Sequence, residues 1–130
     1  MDADALFAGA ASVTGASHVI LQLGELGIIE IGVAEQARDE AERNLRSKLP
    51  AALPAFRALT DACTTTLTMS PKSTASRLAP PILAAAIAAE CRWLITFNIR
   101  DYRTDRLHVS APGPFLEALR ALLAAGAAAP

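Results

Sequence analysis

Apolar positions recur every three to four residues over several stretches of this chain and run unbroken over a few short ones. The two patterns alternate. Helical spacing predicts helices over residues 4–11 and 17–26, the second with Val19, Ile20, Leu23 and Leu26 on one stripe and Gly27 ending it. A short apolar strand is expected over 28–31. A strongly amphipathic helix follows over 33–48, closed by Leu49 and Pro50, and then a further helix over 51–62. The threonine-rich run 65–69 reads as a second strand, and 70–78 as a polar, basic loop. A helix over 80–90 has its prolines where a helix can begin. Strands over 93–97 and 107–110 and a closing helix over 114–124 complete the pattern. Helices alternating with strands predict an α/β fold with a mostly parallel sheet flanked by helices. One domain over 1–125 and a frayed tail over 126–130 are expected.

Two elements carry residues of chemical interest. On the helix over 33–48, Val33, Ala37, Ala41 and Leu45 form the apolar stripe, while Glu35, Asp39, Glu42 and Arg46 gather opposite. Asp39 with Arg43, and Glu42 with Arg46, stand at the spacing of surface ion pairs. Glu40 falls roughly 20° from Val33, at the edge of the stripe, with Asn44 rather than a base one turn on. A carboxylate turned inward must find a partner, bind a cation or take up a proton. The other element is the strand over 93–97, which runs into Thr96, Asn98 and Asp101. Parallel sheets carry their chemistry at the carboxyl ends of the strands. Polar residues at that place are candidates for a site, although Asn and Asp also simply make turns. Asp2 is suited to cap the first helix and Asp4 to favour its dipole.

Composition narrows the field. The 130 residues are 52% hydrophobic and 19% charged, with 12 basic and 13 acidic side chains and a formal net charge of −1. No global field attracts nucleic acid, so any such contact must come from a local patch. The longest apolar run, 78–89, contains prolines and falls short of the ~20 residues of a bilayer span. The acidic start lacks the features of a secretory signal, so a soluble cytoplasmic protein with no membrane partner is expected. Cys63 and Cys91 form no C-x-x-C pair and read as buried thiols. His18 and His108 read as packing or surface residues, and nothing points to zinc. No glycine-rich phosphate motif is present.

Taken in order, Asp2 to Leu6, Glu40 to Leu45, Pro81 to Ala86 and Thr96 to Tyr102 resemble PIN domains, small α/β nucleases that include the ribonuclease toxins of bacterial toxin–antitoxin pairs. The resemblance runs from Asp2 to about Leu119. It implies a three-layer PIN-like fold and a metal-dependent endoribonuclease, a hydrolase of RNA phosphodiesters. Mg²⁺ or Mn²⁺ would be held by acidic side chains at the carboxyl edge of the sheet. Carried over by position, the catalytic set is Asp2, Glu40, Asn98 and Asp101, with Asp2, Glu40 and Asp101 as metal ligands. Thr96 and Asp4 are supporting residues, and Arg100, Arg77 and Lys72 are the candidates for RNA phosphates. RNA, an antitoxin protein and a second copy of the chain are the implied partners.

The chain departs from the family pattern in three places. The acid expected before the helix at Pro81 falls at Ala79. Asn98 replaces a charged ligand. Only Met1 precedes Asp2, where the family has a strand that is central to the sheet, so neighbouring strands are expected to show unpaired edges or to close up on each other. With two charges gone, the remaining acids suit one weakly held ion. The alternative is a catalytically silent PIN-like domain that binds RNA or a protein.

Overall fold

A computed structural model of the chain describes residues 1–67 and 81–128. The elements in order are α1 (Ala3–Ala11), α2 (Ala16–Glu25), β1 (Gly32–Ala34), α3 (Glu35–Lys48), a 3₁₀ turn (Pro50–Ala52), α4 (Leu53–Cys63) and β2 (Thr65–Leu67). Then come α5 (Pro81–Ala88), β3 (Trp93–Ile95), a second 3₁₀ turn (Ile99–Asp101), β4 (His108–Ser110) and α6 (Pro112–Ala128). The class is mixed α/β, as the alternation predicts. The strands are shorter than expected. Among the described residues they make two separate parallel pairs, β1 with β2 and β3 with β4, rather than one sheet.

The differences from the sequence reading have local causes. The first strand lies at Gly32–Ala34, not over 28–31, because the period-two alternation continues past Ile31. Ile31 and Val33 are buried while Ile28 and Glu30 face outward. A Cβ on Gly32 would lie 2.7 Å from Leu67 Cδ1, so the Leu67 side chain from the paired strand β2 lies against the glycine. On α2 the buried residues are Ser17, Ile20 and Leu21, and Val19 and Leu26 are exposed, so the stripe sits one position away from the expected one. Leu21 packs over Gly9, where a Cβ would come within 2.6 Å of its Cδ1. Gly27, with φ of 76°, ends the turn after α2 in the left-handed region that favours glycine. The closing helix starts at Pro112 and continues through Gly126 to Ala128, past the expected frayed boundary.

The main core gathers Leu6, Ile20, Leu21, Val33, Leu45, Phe56, Ile95 and Phe115, where α1 to α4 pack on the two strand pairs. A smaller cluster of Leu83, Ala86, Leu94 and Leu107 lies between α5 and the β3–β4 pair. Cys63 is buried, Cys91 is half-buried, and both are free thiols. His18 places Nδ1 2.9 Å from the Gly9 carbonyl oxygen and is a packing residue. His108 stacks on Trp93 with ring centroids 4.6 Å apart. Among the described residues no single helix is long and apolar enough to cross a membrane.

Candidate acidic site at the carboxyl end of β3

Three segments meet at one point because the chain start lies across the ends of β1 and β3. The Met1 amino group donates to Gly32 O at 2.9 Å, and the Asp2 amide donates to Ile95 O at 2.8 Å. Asp2 is thereby buried beside the end of β3, at 5% exposure. Its Oδ1 accepts from the Ala3 amide at 2.7 Å, so the N-cap role foreseen for it is real. Its Oδ2 accepts from the Thr96 hydroxyl at 2.8 Å. One side chain thus starts α1 and joins it to a residue 94 positions away.

Thr96 is fully buried and is the pivot of the site. Its amide still pairs with Ser110 O across β4 at 2.9 Å, while its hydroxyl leaves the ladder to meet the acids. The same oxygen accepts from the Asn98 amide at 3.0 Å and lies 3.3 Å from Asp4 Oδ2. Asp4 Oδ2 also accepts from the Phe97 amide and from Asn98 Nδ2, each at 3.0 Å. With the Ala5 amide on Asp4 Oδ1, five donor groups from α1, Thr96 and the turn after β3 therefore meet the two carboxylates. Burial holds the Asp4 carboxyl above its usual range, and the Asp2 charge adds to the shift against the opposing hydrogen bonds from Ala5, Phe97 and Thr96.

Tyr102 completes the group. Burial raises its phenol well above the ordinary value, and the Asp2 charge, a hydrogen bond to Asp2, and the charges of Asp4 and Glu40 act the same way. The phenol is therefore a donor at every physiological pH. The sequence reading did not single it out; the signal was an aromatic hydroxyl just after the Asn98–Asp101 turn.

The expected residues divide. Asp2, Asp4, Thr96 and Asn98 converge, and Asp4 Oδ2 lies within reach of Thr96, Phe97 and Asn98 together. Glu40 is exposed rather than turned inward, because α3 buries Ala37, Ala41 and Leu45 only. Among the described residues it acts on the group through its charge on Tyr102. Asp101 is exposed in the second 3₁₀ turn, and among the described residues its side chain makes no hydrogen bond to the acids. Arg100 is exposed in the same turn. Lys72, Arg77 and Ala79 lie outside the described residues. The surface pairs on α3 are not within the helix: Arg38 meets Asp61 at 3.0 Å and Glu42 meets Arg57 at 3.3 Å, both across to α4.

Chemically, the donor set is hard oxygen, and burial together with the Asp2 charge disfavours the ionised form of Asp4. That suits a single hard divalent cation held chiefly by Asp2 and Asp4. Among the described residues no three His, Cys, Asp or Glu side chains come close enough to form a fuller cage. Comparison with protein-family models, with curated proteins and with solved structures gives no match.

Proposed function

We propose that the chain has a three-layer PIN-like fold and acts as a metal-dependent endoribonuclease, with the toxin of a toxin–antitoxin pair as its setting. The observation that carries this reading is the Asp2–Thr96–Asp4 network, in which two carboxylates from the chain start share one hydroxyl at the carboxyl end of a parallel strand. The order of the resembling segments agrees with it. A Mg²⁺ or Mn²⁺ ion held there would neutralise charge on a phosphodiester and lower the pKa of an attacking water.

The chain's own groups have distinct parts in this reading. Asp2 and Asp4 would hold the cation. Thr96 and the Phe97 and Asn98 amides fix the rotamers of the acids, which is the support such a site needs. Tyr102, its phenol pushed up by burial and by the neighbouring acids, lies beside Asp2. Arg100, exposed one turn away, meets a substrate phosphate. Glu40 adds negative charge at the margin.

The test is cleavage of end-labelled single-stranded RNA with Mn²⁺. Wild type yields shorter products that disappear on adding a chelator and in Asp4→Asn. Products that survive in Asp4→Asn would remove the acidic pair from the reaction. A second reading, a non-catalytic RNA- or protein-binding domain, is favoured by the exposed, uncoupled Asp101. It predicts an RNA gel shift, or capture of a protein partner, without products.

A further inference from the structure

The turn that follows β3 carries two side chains that the acidic site does not use. Phe97 is 53% exposed and Ile99 45% exposed, although the backbone beneath them is fixed. The Phe97 amide donates to Asp4 Oδ2 and the Asn98 amide to Thr96 Oγ1, each at 3.0 Å. Further on, the Asp101 amide donates to Asn98 O at 3.1 Å and the Tyr102 amide to Ile99 O at 3.2 Å. Ile95 ends β3 with its side chain in the core, and the turn then carries the chain outward, so Phe97 does not continue that buried face. A lone exposed apolar side chain is ordinary. An aromatic ring held in solvent by a hydrogen bond to the site itself is a different matter.

Distance decides what such a ring can meet. The Phe97 amide nitrogen stands 3.0 Å from the carboxylate. Covalent geometry keeps the centre of the ring within about 5 Å of that nitrogen, so the ring lies within about 8 Å of Asp4 Oδ2. A phosphate at the two acids carries its own base one sugar away, a comparable reach. The charges agree. Arg100 and Arg103 are exposed on the same short segment, so apolar surface for a base alternates with cations for the neighbouring phosphates. A duplex shows only the edges of its bases and gives the ring no free face. A purely apolar peptide would cover the ring but offer nothing to the arginines or to a cation at the acids.

We propose that Phe97 is the base-stacking residue of this site: its ring takes an unpaired base next to the phosphate held at Asp2 and Asp4, and Ile99 closes one side of that base. The site then accepts a strand whose bases are free and refuses a duplex. This deepens the ribonuclease reading and rests on it, in that the acids must receive RNA.

The test is fluorescence anisotropy of end-labelled octa-adenylate with Mn²⁺ at low salt, in the cold, with the strand shown intact on a gel. Loss of one stacked base should weaken binding about 5- to 100-fold in Phe97→Ala, while Phe97→Tyr, which keeps the ring face, should stay within about twofold of wild type. An octamer of abasic nucleotides should bind wild type and Phe97→Ala alike, as weakly as Phe97→Ala binds octa-adenylate. Calorimetric Mn²⁺ binding should be the same in wild type and Phe97→Ala, because the amide rather than the ring meets Asp4. Equal affinity of wild type and Phe97→Ala for octa-adenylate would overturn the proposal and leave the ring to an apolar protein partner. Tight binding of the abasic octamer, or no binding of either strand to wild type, would overturn it as well. Weaker Mn²⁺ binding in Phe97→Ala would do the same, by making the ring a structural support. Octa-adenylate that binds with the Phe97 effect yet is never cut would end the nuclease reading and not this one.

Discussion

Replacing Thr96 with valine removes one oxygen and almost no volume, which isolates the hydroxyl at the centre of the site. The residue is 0% exposed, so neither water nor a rearranged surface group takes the place of the lost hydroxyl. The Asp2 carboxylate loses its 2.8 Å donor while remaining buried. A hydrogen bond to a charged group contributes about 1.5–3 kcal/mol, and a stranded buried partner keeps the cost at the upper end. The Asn98 amide loses its 3.0 Å acceptor, but Asn98 is exposed and water recovers most of that bond. The sum is about 2–4 kcal/mol, a large part of the ~5–15 kcal/mol typical of a domain. For a chain of this size that is a fall in Tm of about 6–15 °C. Thr96→Ser keeps the hydroxyl and loses one buried methyl, about 1 kcal/mol. Urea unfolding of wild type and both variants, with slopes compared, separates the two effects. A valine variant within about 0.5 kcal/mol of the serine variant would refute the claim that the hydroxyl ties α1 to β3.

Asp4→Asn keeps an acceptor for the Phe97 amide and removes the repulsion from Asp2, so without metal it should be at least as stable as wild type near neutral pH, by urea midpoint. Because the folded Asp4 pKa is raised, its contribution to stability is fully present below the ordinary 3.8 and is lost as pH rises through the folded value. A stability–pH profile should show that decline in wild type and not in Asp4→Asn. The Met1 amine works in the other direction. Its folded pKa is lowered from 8.0, so the unfolded chain holds an extra proton in the window just below that value and stability rises with pH across it. Gly24→Ala should cost about 1–3 kcal/mol in a thermal melt, since the new Cβ would sit 2.7 Å from the Cys63 carbonyl oxygen and 2.6 Å from Ile31 Cδ1. Tyr102 should titrate well above the ordinary ~10 of a phenol, read by ultraviolet absorbance, and keep the part of that shift due to burial while losing the part due to Asp2 in the Asp2→Asn variant.

How far the sequence leads depends on the range of the interaction involved. Helix existence follows from local periodicity, and α2, α3 and α4 lie within a residue or two of their expected spans. The 33–34 boundary failed because Val33 belongs equally to a helical stripe and to the alternation of Ile31 and Val33; pairing with β2 decides it. The inward turn expected of Glu40 failed for a related reason. An angular position on a helix says where a side chain starts, not how wide the buried stripe is, and a stripe of two alanines and a leucine leaves Glu40 in solvent. Asp2, Thr96 and Asn98 were legible because they cluster at a chain start and a strand end. The contact of Asp4 with the turn after β3 was not. It depends on one turn of α1 bringing Asp4 back over the Phe97 amide, a contact across 93 positions. Among the described residues β1 and β3 do not pair with each other, and Met1 and Asp2 join them with one bond to each.

The central claim is that Asp2 and Asp4, joined through Thr96, form a hard-cation site. Calorimetric titration of Mn²⁺ into wild type, Asp4→Asn and Asp101→Ala at neutral pH and low salt tests it most directly. The account predicts one site in wild type with a dissociation constant of about 10⁻⁴–10⁻³ M, as expected for few charged ligands. That binding should be retained in Asp101→Ala and lost in Asp4→Asn. Binding lost in Asp101→Ala and kept in Asp4→Asn, or no heat of binding from folded wild type, would contradict it.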